Sequence, residues 1–447
     1  MLGETIANPV TLWYALRSNN LVSGDVLYLR GGTYKGRYLL NSNCAGITIR
    51  PYQNEKPIID GYLDVQASDV TLIELEIMSS TTQRVWNNTT GDPTLTSDGG
   101  VRSMAAGTKI INCIIHDTPC DGLGLWQTGL NTIAYGNLIY NNGYEGSDRL
   151  HGHGIYTQNI TGTKTYKHNI LAKNFYFCFQ AYARTDTPQK GFDFLSNVCI
   201  NGSSLFGGDS SVRYEDIKTN GNHFLGACIF GHLYQQNGNV EFLNNRLHST
   251  TPPDSGYSTM PLYFEWFETI NAQNNIVSVA GDSFMRFYQP DDTQYNNQVI
   301  DNNLYFGDSP TGKMFADTAY NLAEWQELGF DLNSTQSTDM PTTNVVEVFA
   351  NEYKDELSQR MGSFVIWNWE DLEAVSVDLS SLELTVGESY RWRQAQDPYV
   401  DTDTFEYTGD SISFSMLAHT VAEPIGYGAA LTTTSFPLFG AFVVEKA

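Results

Sequence analysis

Hydrophobic and polar residues alternate in short runs along most of the chain, and turn-forming residues interrupt the runs. Val70-Thr-Leu-Ile-Glu-Leu-Glu-Ile is one such run, and Gly154-Ile-Tyr-Thr-Gln is another. Successive side chains of an extended strand point to opposite faces, so this alternation predicts half-buried β-strands. Two stretches, Val10–Ser18 and Leu322–Leu328, instead predict short helices. The pattern therefore predicts an all-β protein.

Asparagine recurs at a nearly constant interval beside these strands. The recurring residues are Asn112, Asn137, Asn169, Asn197, Asn222, Asn245, Asn275 and Asn303, with spacings of 25, 32, 28, 25, 23, 30 and 28 residues. A period of about 20 to 30 residues is typical of a solenoid, whose units must stack because each is too small to bury its apolar face. Asparagine suits such a stack because its amide both donates and accepts. Leucines at fixed offsets and a helical period are absent, which leaves a parallel β-helix.

The pattern changes after the region 310–341. Pro341-Thr-Thr-Asn predicts a linker, and from Val345 onward the strands are short and separated by turns. We expect a parallel β-helix over residues 1–341 and a small antiparallel β-sandwich over residues 342–447. The sandwich is expected to cover the open end of the solenoid, where strand edges would otherwise be exposed.

The N-terminal strands resemble those of right-handed parallel β-helix proteins that act on carbohydrates. The resemblance lies in Gly24-Asp-Val-Leu-Tyr-Leu-Arg-Gly-Gly-Thr-Tyr, Ile47-Thr-Ile-Arg-Pro-Tyr, Ile58-Ile-Asp-Gly and Trp325-Gln-Glu-Leu-Gly-Phe-Asp-Leu-Asn-Ser, and it covers residues 8–340. The similar proteins are the chondroitinase-B-like and alginate-lyase-like polysaccharide-degrading members. The resemblance implies a right-handed parallel β-helix whose first coil is capped by the helix at Val10–Ser18.

That superfamily contains lyases, hydrolases, epimerases and phage tailspikes, so the resemblance does not decide the activity. The chain lacks the Asp-Pro-His motif of the mannuronan epimerases and a Lys/Arg pair like that of the chondroitinase-B-like lyases. No catalytic residue is therefore carried over, and the candidates come from the residues themselves.

Composition restricts the partners and the location. The chain has 25 Lys and Arg against 50 Asp and Glu, a formal charge of −25, which argues against nucleic acid and anionic membranes. The acidity suits an extracellular or secreted protein, although no signal peptide is visible. Monomer and homotrimer both stay open. Buried free thiols are expected at Cys44, Cys113, Cys120, Cys178, Cys199 and Cys228.

Two histidines and a tyrosine crowd into the segment His151–Asn159. If the second strands of successive coils stack, their outward residues form a stripe that suits a glycan chain, because aromatic faces and charged side chains together bind sugars. The expected stripe consists of His153, Tyr156, Gln158, Gln180, Tyr182, Arg184, Asp209, His232, Tyr234, Glu265, Arg286 and Tyr288, with His151 and Trp266 as further binding residues.

Two cleavage mechanisms compete at this stripe. A glycoside hydrolase needs two carboxyls roughly 5 to 10 Å apart, and the candidates are Asp121 and Asp186, followed by Glu145, Asp148, Asp209 and Glu265. A lyase needs a base, His153 or Tyr156, and a group such as Arg184 that neutralises a uronate carboxyl.

The excess of acidic residues slightly favours the hydrolase. The alternatives are a lyase acting on a uronate polymer and a non-catalytic glycan-binding tailspike or adhesin. Acidic loops such as Pro290-Asp-Asp leave Ca²⁺ open as a cofactor. A histidine metal site lacks further ligands in the sequence.

Overall fold

The computed structural model describes residues 8–17, 19–86, 100–183, 187–209, 211–231, 236–249, 261–281, 283–288, 297–307, 313–315 and 318–447. Both predicted helices are present, as α1 (Leu12–Arg17) and α2 (Leu322–Glu327). Neither of these described helices is long and apolar enough to cross a membrane.

Apart from the 3₁₀ turns Ser42–Cys44 and Ser380–Leu382, the remaining described elements are β-strands, most of them three or four residues long. The first are β1 (Val26–Leu29), β2 (Gly32–Leu40), β3 (Thr48–Pro51), β4 (Pro57–Val65), β5 (Thr71–Ile73), β6 (Glu76–Met78), β7 (Val85–Trp86), β8 (Val101–Ser103), β9 (Lys109–Ile111), β10 (Ile114–His116), β11 (Leu123–Leu125), β12 (Ile133–Tyr135), β13 (Leu138–Tyr140), β14 (Tyr144–Gly146) and β15 (Leu150–His151). Next are β16 (Ile155–Thr157), β17 (Lys164–Lys167), β18 (Ile170–Leu171), β19 (Phe179–Ala181), β20 (Gln189–Leu195), β21 (Val198–Ile200), β22 (Ser204–Phe206), β23 (Tyr214–Asn220), β24 (His223–Leu225), β25 (Cys228–Phe230), β26 (Asn237–Leu243), β27 (Arg246–Ser249), β28 (Leu262–Glu265), β29 (Phe267–Gln273) and β30 (Ile276–Val279). The last are β31 (Ser283–Tyr288), β32 (Val299–Asp301), β33 (Leu304–Gly307), β34 (Lys313–Phe315), β35 (Ala319–Asn321), β36 (Thr335–Ser337), β37 (Val345–Ala350), β38 (Arg360–Trp367), β39 (Ala374–Val377), β40 (Ser389–Gln394), β41 (Thr402–Glu406), β42 (Ile412–Ser415) and β43 (Phe439–Lys446).

Parallel pairing stacks most of these strands into three columns. The first column is an 11-stranded sheet that runs from β1 to β32. The second column runs from β6 through β10 and β13 to β36, and the third runs from β8 through β11 and β16 to β34. The second and third columns begin together, because β4 pairs with β6 at one end and with β8 at the other. Each coil passes through all three columns in turn, which makes the chain the predicted parallel β-helix.

An asparagine ladder fills the tight turn between the first and second columns. The Nδ2 atom of each buried asparagine donates to Oδ1 of the next, from Asn137 to Asn169 (2.9 Å), Asn197 (2.9 Å), Asn222 (3.2 Å), Asn245 (2.9 Å), Asn275 (3.2 Å) and Asn303 (3.0 Å). The prediction was wrong for Asn112. Cys113 occupies its place in the ladder, and the Cys113 N–H donates to Asn137 Oδ1 over 2.9 Å.

Asn112 instead makes the turn one residue earlier. Its φ is 56°, and Gly136 (64°) and Asn244 (55°) take the same left-handed conformation in later coils. Glycine and asparagine tolerate this conformation better than other residues. Asparagine therefore recurs for two reasons, the ladder and the turn that precedes it.

The inside of the solenoid is filled by repeated aromatic contacts between coils. In the third column the ring centroids of Phe179 and Phe206 lie 4.8 Å apart, and those of Phe206 and Phe230 lie 5.1 Å apart. The inward placement of Ile155, Phe179, Ala181 and Phe287 agrees with the predicted alternation. Five cysteines are buried in the structure and Cys120 is half-buried, all six as free thiols.

Helix α2 covers the C-terminal end of this core. Trp325 is fully buried there, against Phe330 at 4.7 Å and Phe287 at 6.1 Å between ring centroids. At the other end, Leu12 and Leu16 of α1 pack into the first coil. The expectation that the C-terminal sandwich would cover the open end was therefore wrong.

The C-terminal part packs along the side of the solenoid. It consists of a five-stranded antiparallel sheet, in the order β37-β38-β43-β40-β41, and a two-stranded sheet of β39 and β42. Its Trp367, Phe439 and Val443 form one apolar cluster with Leu138 and Ile170 on the outside of the second column. The middle strands of the second column, from β13 to β24, are therefore buried on both faces, and their outer face is closed to a substrate.

Charged groups between the C-terminal part and the solenoid predict that the stability of the fold falls at acidic pH. Glu347 lies 3.3 Å from His223 Nε2 and 3.2 Å from Arg246 Nε. Burial raises the pKa of Glu347, but the neighbouring His223 and Arg246 outweigh it and bring the pKa to about 2. A carboxyl with a lowered pKa stabilises the fold above its unfolded pKa of about 4.3 and loses that contribution as the pH falls toward its folded value.

We expect Glu347→Gln to lower the melting temperature at pH 7, because it removes the charge that His223 and Arg246 stabilise. The difference from wild type should shrink below about pH 4.3 and vanish near the folded pKa of about 2. Thermal melts of both proteins from pH 7 to pH 2 measure it. Glu383→Gln, at a carboxylate with 84% exposure, is the control and should show no such trend. A difference that persists unchanged at pH 2 would contradict this assignment.

Candidate active site

The outer face of the third column carries a gap between larger side chains. Strand pairing places Asp64, Arg102, Gly124 and Tyr156 side by side on successive strands, which are about 4.8 Å apart. A Cβ built on Gly124 would meet only Trp126 Nε1, at 3.7 Å. Trp126 packs in turn on Tyr156 with ring centroids 5.6 Å apart. Gly124 is itself buried, because the Trp126 indole covers it in the structure. We call the position over Gly124, bounded by Arg102, Trp126 and Tyr156, the cleft.

Asp121 and His153 form a hydrogen-bonded pair beside the cleft. Asp121 Oδ1 lies 2.7 Å from His153 Nδ1 and accepts the His153 backbone N–H over 3.0 Å. The carboxylate accepts a hydrogen bond from Nδ1–H, which keeps the proton on Nδ1 and leaves Nε2 as the basic nitrogen of the ring. His153 Nε2 is buried and has no hydrogen-bond partner among the described residues.

Aromatic rings surround His153. The ring centroids of Tyr156, Tyr176 and Phe177 lie 5.2, 5.6 and 6.3 Å from that of His153. The guanidinium of Arg149 lies over Tyr176, 4.8 Å from the ring centroid. The imidazole therefore sits between an aromatic wall and a carboxylate, with Arg149 on the far side of Tyr176. Arg102 lies two strands before Tyr156 and 4.0 Å from Asp64 Oδ2.

A buried arginine holds the turn that leads into Asp121. The Arg84 guanidinium donates to the carbonyl oxygens of Thr118 (2.8 Å), Gly143 (3.2 Å) and Asp117. The Thr118 hydroxyl donates to the Asp121 carbonyl over 3.1 Å. The fully buried Arg84 guanidinium therefore holds the backbone that precedes Asp121, which limits how far the Asp121 carboxylate can move.

Several buried polar atoms at the cleft lack a hydrogen-bond partner among the described residues. Within the described part of the chain, the buried side-chain atoms that lack a hydrogen-bond partner include Asp64 Oδ1, Arg102 Nε, Trp126 Nε1 and His153 Nε2. More than about 90% of buried polar groups in proteins are paired, so each exception needs an explanation. Four such atoms on neighbouring strands and turns make this surface the candidate site for a ligand.

Several predicted site residues lie beside the cleft. The Tyr156 hydroxyl donates to the Tyr182 carbonyl over 3.0 Å, and Gln158 Nε2 donates to the same oxygen over 3.1 Å. Gln180 pairs directly with Tyr156 on the next strand. His151 lies farther out, with Nε2 2.8 Å from Asp148 Oδ1 and its ring stacked on Tyr144.

Other predicted residues lie far along the third column. Glu265 is on β28 and Tyr288 on β31, four and five strands beyond β16, or about 19 and 24 Å at about 4.8 Å per strand. Arg286 lies over Tyr263 and Tyr288, at 5.4 and 5.9 Å. Asp209 and Trp266 lie in turns, after β22 and β28 respectively. The third column does not bring these residues to His153.

Four predicted site residues and the calcium loop fall outside the described residues. They are Arg184, Asp186, His232, Tyr234 and the loop at 290–292. Within the described residues, no group of three or more His, Cys, Asp or Glu side chains could hold a metal ion.

Sequence reasoning missed Arg102, Gly124, Trp126, Tyr176 and Arg149. The signal for Gly124 was present, because it stands at the outward position of Leu123-Gly-Leu-Trp, where alternation calls for a side chain. A glycine inside a strand marks a site where something approaches the backbone closely. Arg102 had no comparable signal, since its strand is three residues long and follows a polar stretch.

No protein-family model and no curated protein matches the chain. Among solved structures, the chain is similar to the catalytic domain of a GH87 alpha-1,3-glucanase in complex with tetrasaccharides. The TM-score is 0.30 and the identity 12%, over 65% of this chain and 53% of that chain. The chain thus spans about half the length of the matched chain. At this level the likeness carries no argument about the site.

Proposed function

We propose that the protein is a polysaccharide-degrading enzyme whose active site is the cleft over Gly124. The observation that carries the proposal is the set of unpaired buried atoms there, His153 Nε2, Trp126 Nε1, Arg102 Nε and Asp64 Oδ1. A sugar ring offers hydroxyls as partners for such atoms and apolar faces for Trp126 and Tyr156.

The geometry supports β-elimination at a uronate better than hydrolysis. In this proposal His153 Nε2 takes the proton α to the uronate carboxyl, the C4–O bond breaks, and a C4–C5 double bond forms. The proton then passes to the leaving oxygen. Arg102 neutralises the carboxyl while negative charge develops on it. Asp121 keeps the imidazole in the basic tautomer and stabilises it once it is protonated.

Hydrolysis, which the acidic composition slightly favoured, would need two carboxyls free to act as acid and base. Asp64 at the cleft accepts from Gln66 Nε2 (2.9 Å) and lies 4.0 Å from Arg102 Nη1, both through Oδ2, so its unpaired Oδ1 supplies at most one of the two groups. Three further carboxylates nearby are engaged elsewhere. Asp121 binds His153 (2.7 Å), Asp148 binds His151 (2.8 Å), and Glu145 accepts from the Tyr427 hydroxyl (2.6 Å). The proposal also requires the aromatic side chains around His153 to move, because His153 Nε2 is shielded from solvent.

A polysaccharide panel tests the reaction. Neutral and uronate-containing polymers are incubated with the protein, and both new reducing ends and the absorbance of a 4,5-unsaturated uronate are recorded. Reducing ends together with absorbance, on uronate polymers alone, are the expected result. Reducing ends without absorbance would establish hydrolysis and overturn the role given to His153. Retention on immobilised glycan with neither signal would identify a binding protein instead.

Filling the cleft should weaken substrate binding without harming the fold. Gly124→Val places a side chain where a Cβ meets only Trp126 Nε1, at 3.7 Å, and valine suits a strand. We expect KM to rise at least about tenfold with an unchanged melting temperature. Gly122→Val is the contrasting variant, because its Cβ would lie 2.8 Å from the Gly154 carbonyl oxygen, and it should be unstable. Normal KM in a folded Gly124→Val protein would exclude the cleft.

A further inference from the structure

A lysine is buried inside the solenoid directly behind the cleft. Lys164 begins β17, and its side chain is fully buried in the interior. Its Nζ atom donates to the carbonyl oxygens of Leu125 (3.0 Å) and Trp126 (2.8 Å). Lysine is almost never fully buried unless it is paired with a charge, and no ion pair of Lys164 occurs within the described chain. Among the described residues its hydrogen-bond partners are these two carbonyls, so its position there needs a reason.

The two carbonyls lie where β11 ends and the Trp126 side chain passes to the outer face. The Leu125 oxygen also accepts from the Thr157 hydroxyl (3.1 Å) and the Gln158 N–H (2.9 Å). The Trp126 oxygen accepts in addition only the Gly129 N–H (2.9 Å) among the described residues. Lys164 is therefore the side chain that binds the Trp126 peptide from the interior, beside the backbone bonds to Gly129 and Ser103.

We propose that Lys164 is a positioning residue for the cleft, which holds the end of β11 so that the Trp126 indole stands beside Gly124. The inference rests on the proposed function only in taking the cleft as a sugar site. The position of the indole is a property of the protein alone. Lys164 touches no substrate and acts through the Leu125 and Trp126 carbonyls.

The environment of Lys164 makes this contact sensitive to pH near neutrality. Burial lowers its pKa to about 7, and no charged neighbour contributes to the shift. The titratable group that faces it is Tyr166, whose hydroxyl donates to Thr157 Oγ1 over 2.6 Å and whose pKa is raised by burial. Tyr166 therefore stays neutral while Lys164 titrates. Above about pH 7 the ammonium becomes an amine, and its hydrogen bonds to the carbonyls weaken because they lose their charge.

Lys164→Met is the matched test because methionine has a similar length and no charge. Replacing a buried charge by an apolar side chain is often neutral or stabilising, and both carbonyls keep another partner. We expect a folded protein in which KM rises about tenfold while kcat changes by less than about twofold, the pattern of lost binding rather than lost chemistry.

Tryptophan fluorescence tests the inference without any substrate. The contribution of Trp126 is the difference between a protein and its Trp126→Phe variant, recorded from pH 5 to pH 9. We expect this difference spectrum to shift near pH 7 in the wild type and to be flat in Lys164→Met. The shift should persist in His153→Gln, which excludes the neighbouring imidazole as its source. A shift that survives Lys164→Met, or that disappears in His153→Gln, would overturn the inference whether or not the protein cleaves a polysaccharide.

Discussion

Replacing His153 with glutamine is expected to lower kcat/KM by about 10² to 10⁴, the range of general acid–base catalysis. Glutamine keeps an amide N–H for Asp121 but has no basic nitrogen to take a proton. The fold should not suffer, because His153 Nε2 has no partner to lose in the described chain. Initial rates and thermal melts of the purified variant measure both quantities.

His151→Gln is the matched control for this result. His151 precedes His153 by two residues, but its ring contacts Asp148 and Tyr144 in the hairpin that β14 and β15 form. We expect its rate to stay within about threefold of wild type, since it touches no atom of the cleft. Equal losses in the two variants would contradict the distinct role of His153.

Asp121→Asn should lower the rate by about 10- to 100-fold, as loss of a group that orients a histidine does in metal sites.

Replacing Asn222 with leucine is expected to cost at least about 3 kcal/mol of unfolding free energy. Asn222 donates to Phe194 O (2.8 Å) and Asn245 Oδ1 (2.9 Å) and accepts from the Asn197 backbone (2.7 Å) and side chain (3.2 Å). Asn245 Oδ1 keeps the Asn222 backbone N–H (3.0 Å). The Asn197 backbone N–H and one Asn197 side-chain N–H lose their acceptor, at about 1 to 3 kcal/mol each. Each coil is stabilised by its neighbours, so a defect in the middle of the stack weakens both sides.

Chemical denaturation of wild type and variant measures the loss. Asn239→Ala is the control, because Asn239 is exposed and accepts one bond, from the Asp216 N–H over 3.1 Å. It should cost less than about 1 kcal/mol. A similarly small loss of unfolding free energy in Asn222→Leu would contradict this prediction, because it would show that the ladder adds little to the stability of the fold.

The solenoid was predictable because successive coils repeat the same local sequence patterns. The alternation of Ile155 and Tyr156 and the recurrence of Asn137 and Asn169 are local patterns, and each coil shows them again. Asn112 was misassigned because two adjacent turn positions both favour asparagine, and spacing alone does not separate them. A repeat therefore reveals the type of fold more reliably than the role of one residue within it.

The position of the C-terminal sheet had a sequence signal that was not used. The second-column strands Leu138–Tyr140 and Val198–Ile200 are apolar at every position, which is typical of a strand buried on both faces. The third column has no such run beside Gly124. The outer face of the second column was therefore predictably covered, and the third column was the face left for a site.

The cleft was harder to predict because it depends on register between strands distant in sequence. Arg102 and Tyr156 face the gap from strands on either side of Gly124, and no local pattern relates them. The pairing of Asp121 with His153 was accessible, since one coil separates them and both precede second strands of the repeat. Stacking thus predicted neighbours on successive coils but not which side chains leave a gap.

The position of a bound sugar tests the central claim most directly. The His153→Gln protein is crystallised with an oligosaccharide of whichever polymer the panel identifies. The account predicts a sugar ring over Gly124, between Tyr156 and Arg102, with its carboxyl on the Arg102 guanidinium. A sugar bound instead near Arg286 and Tyr288, with the space over Gly124 empty, would contradict it.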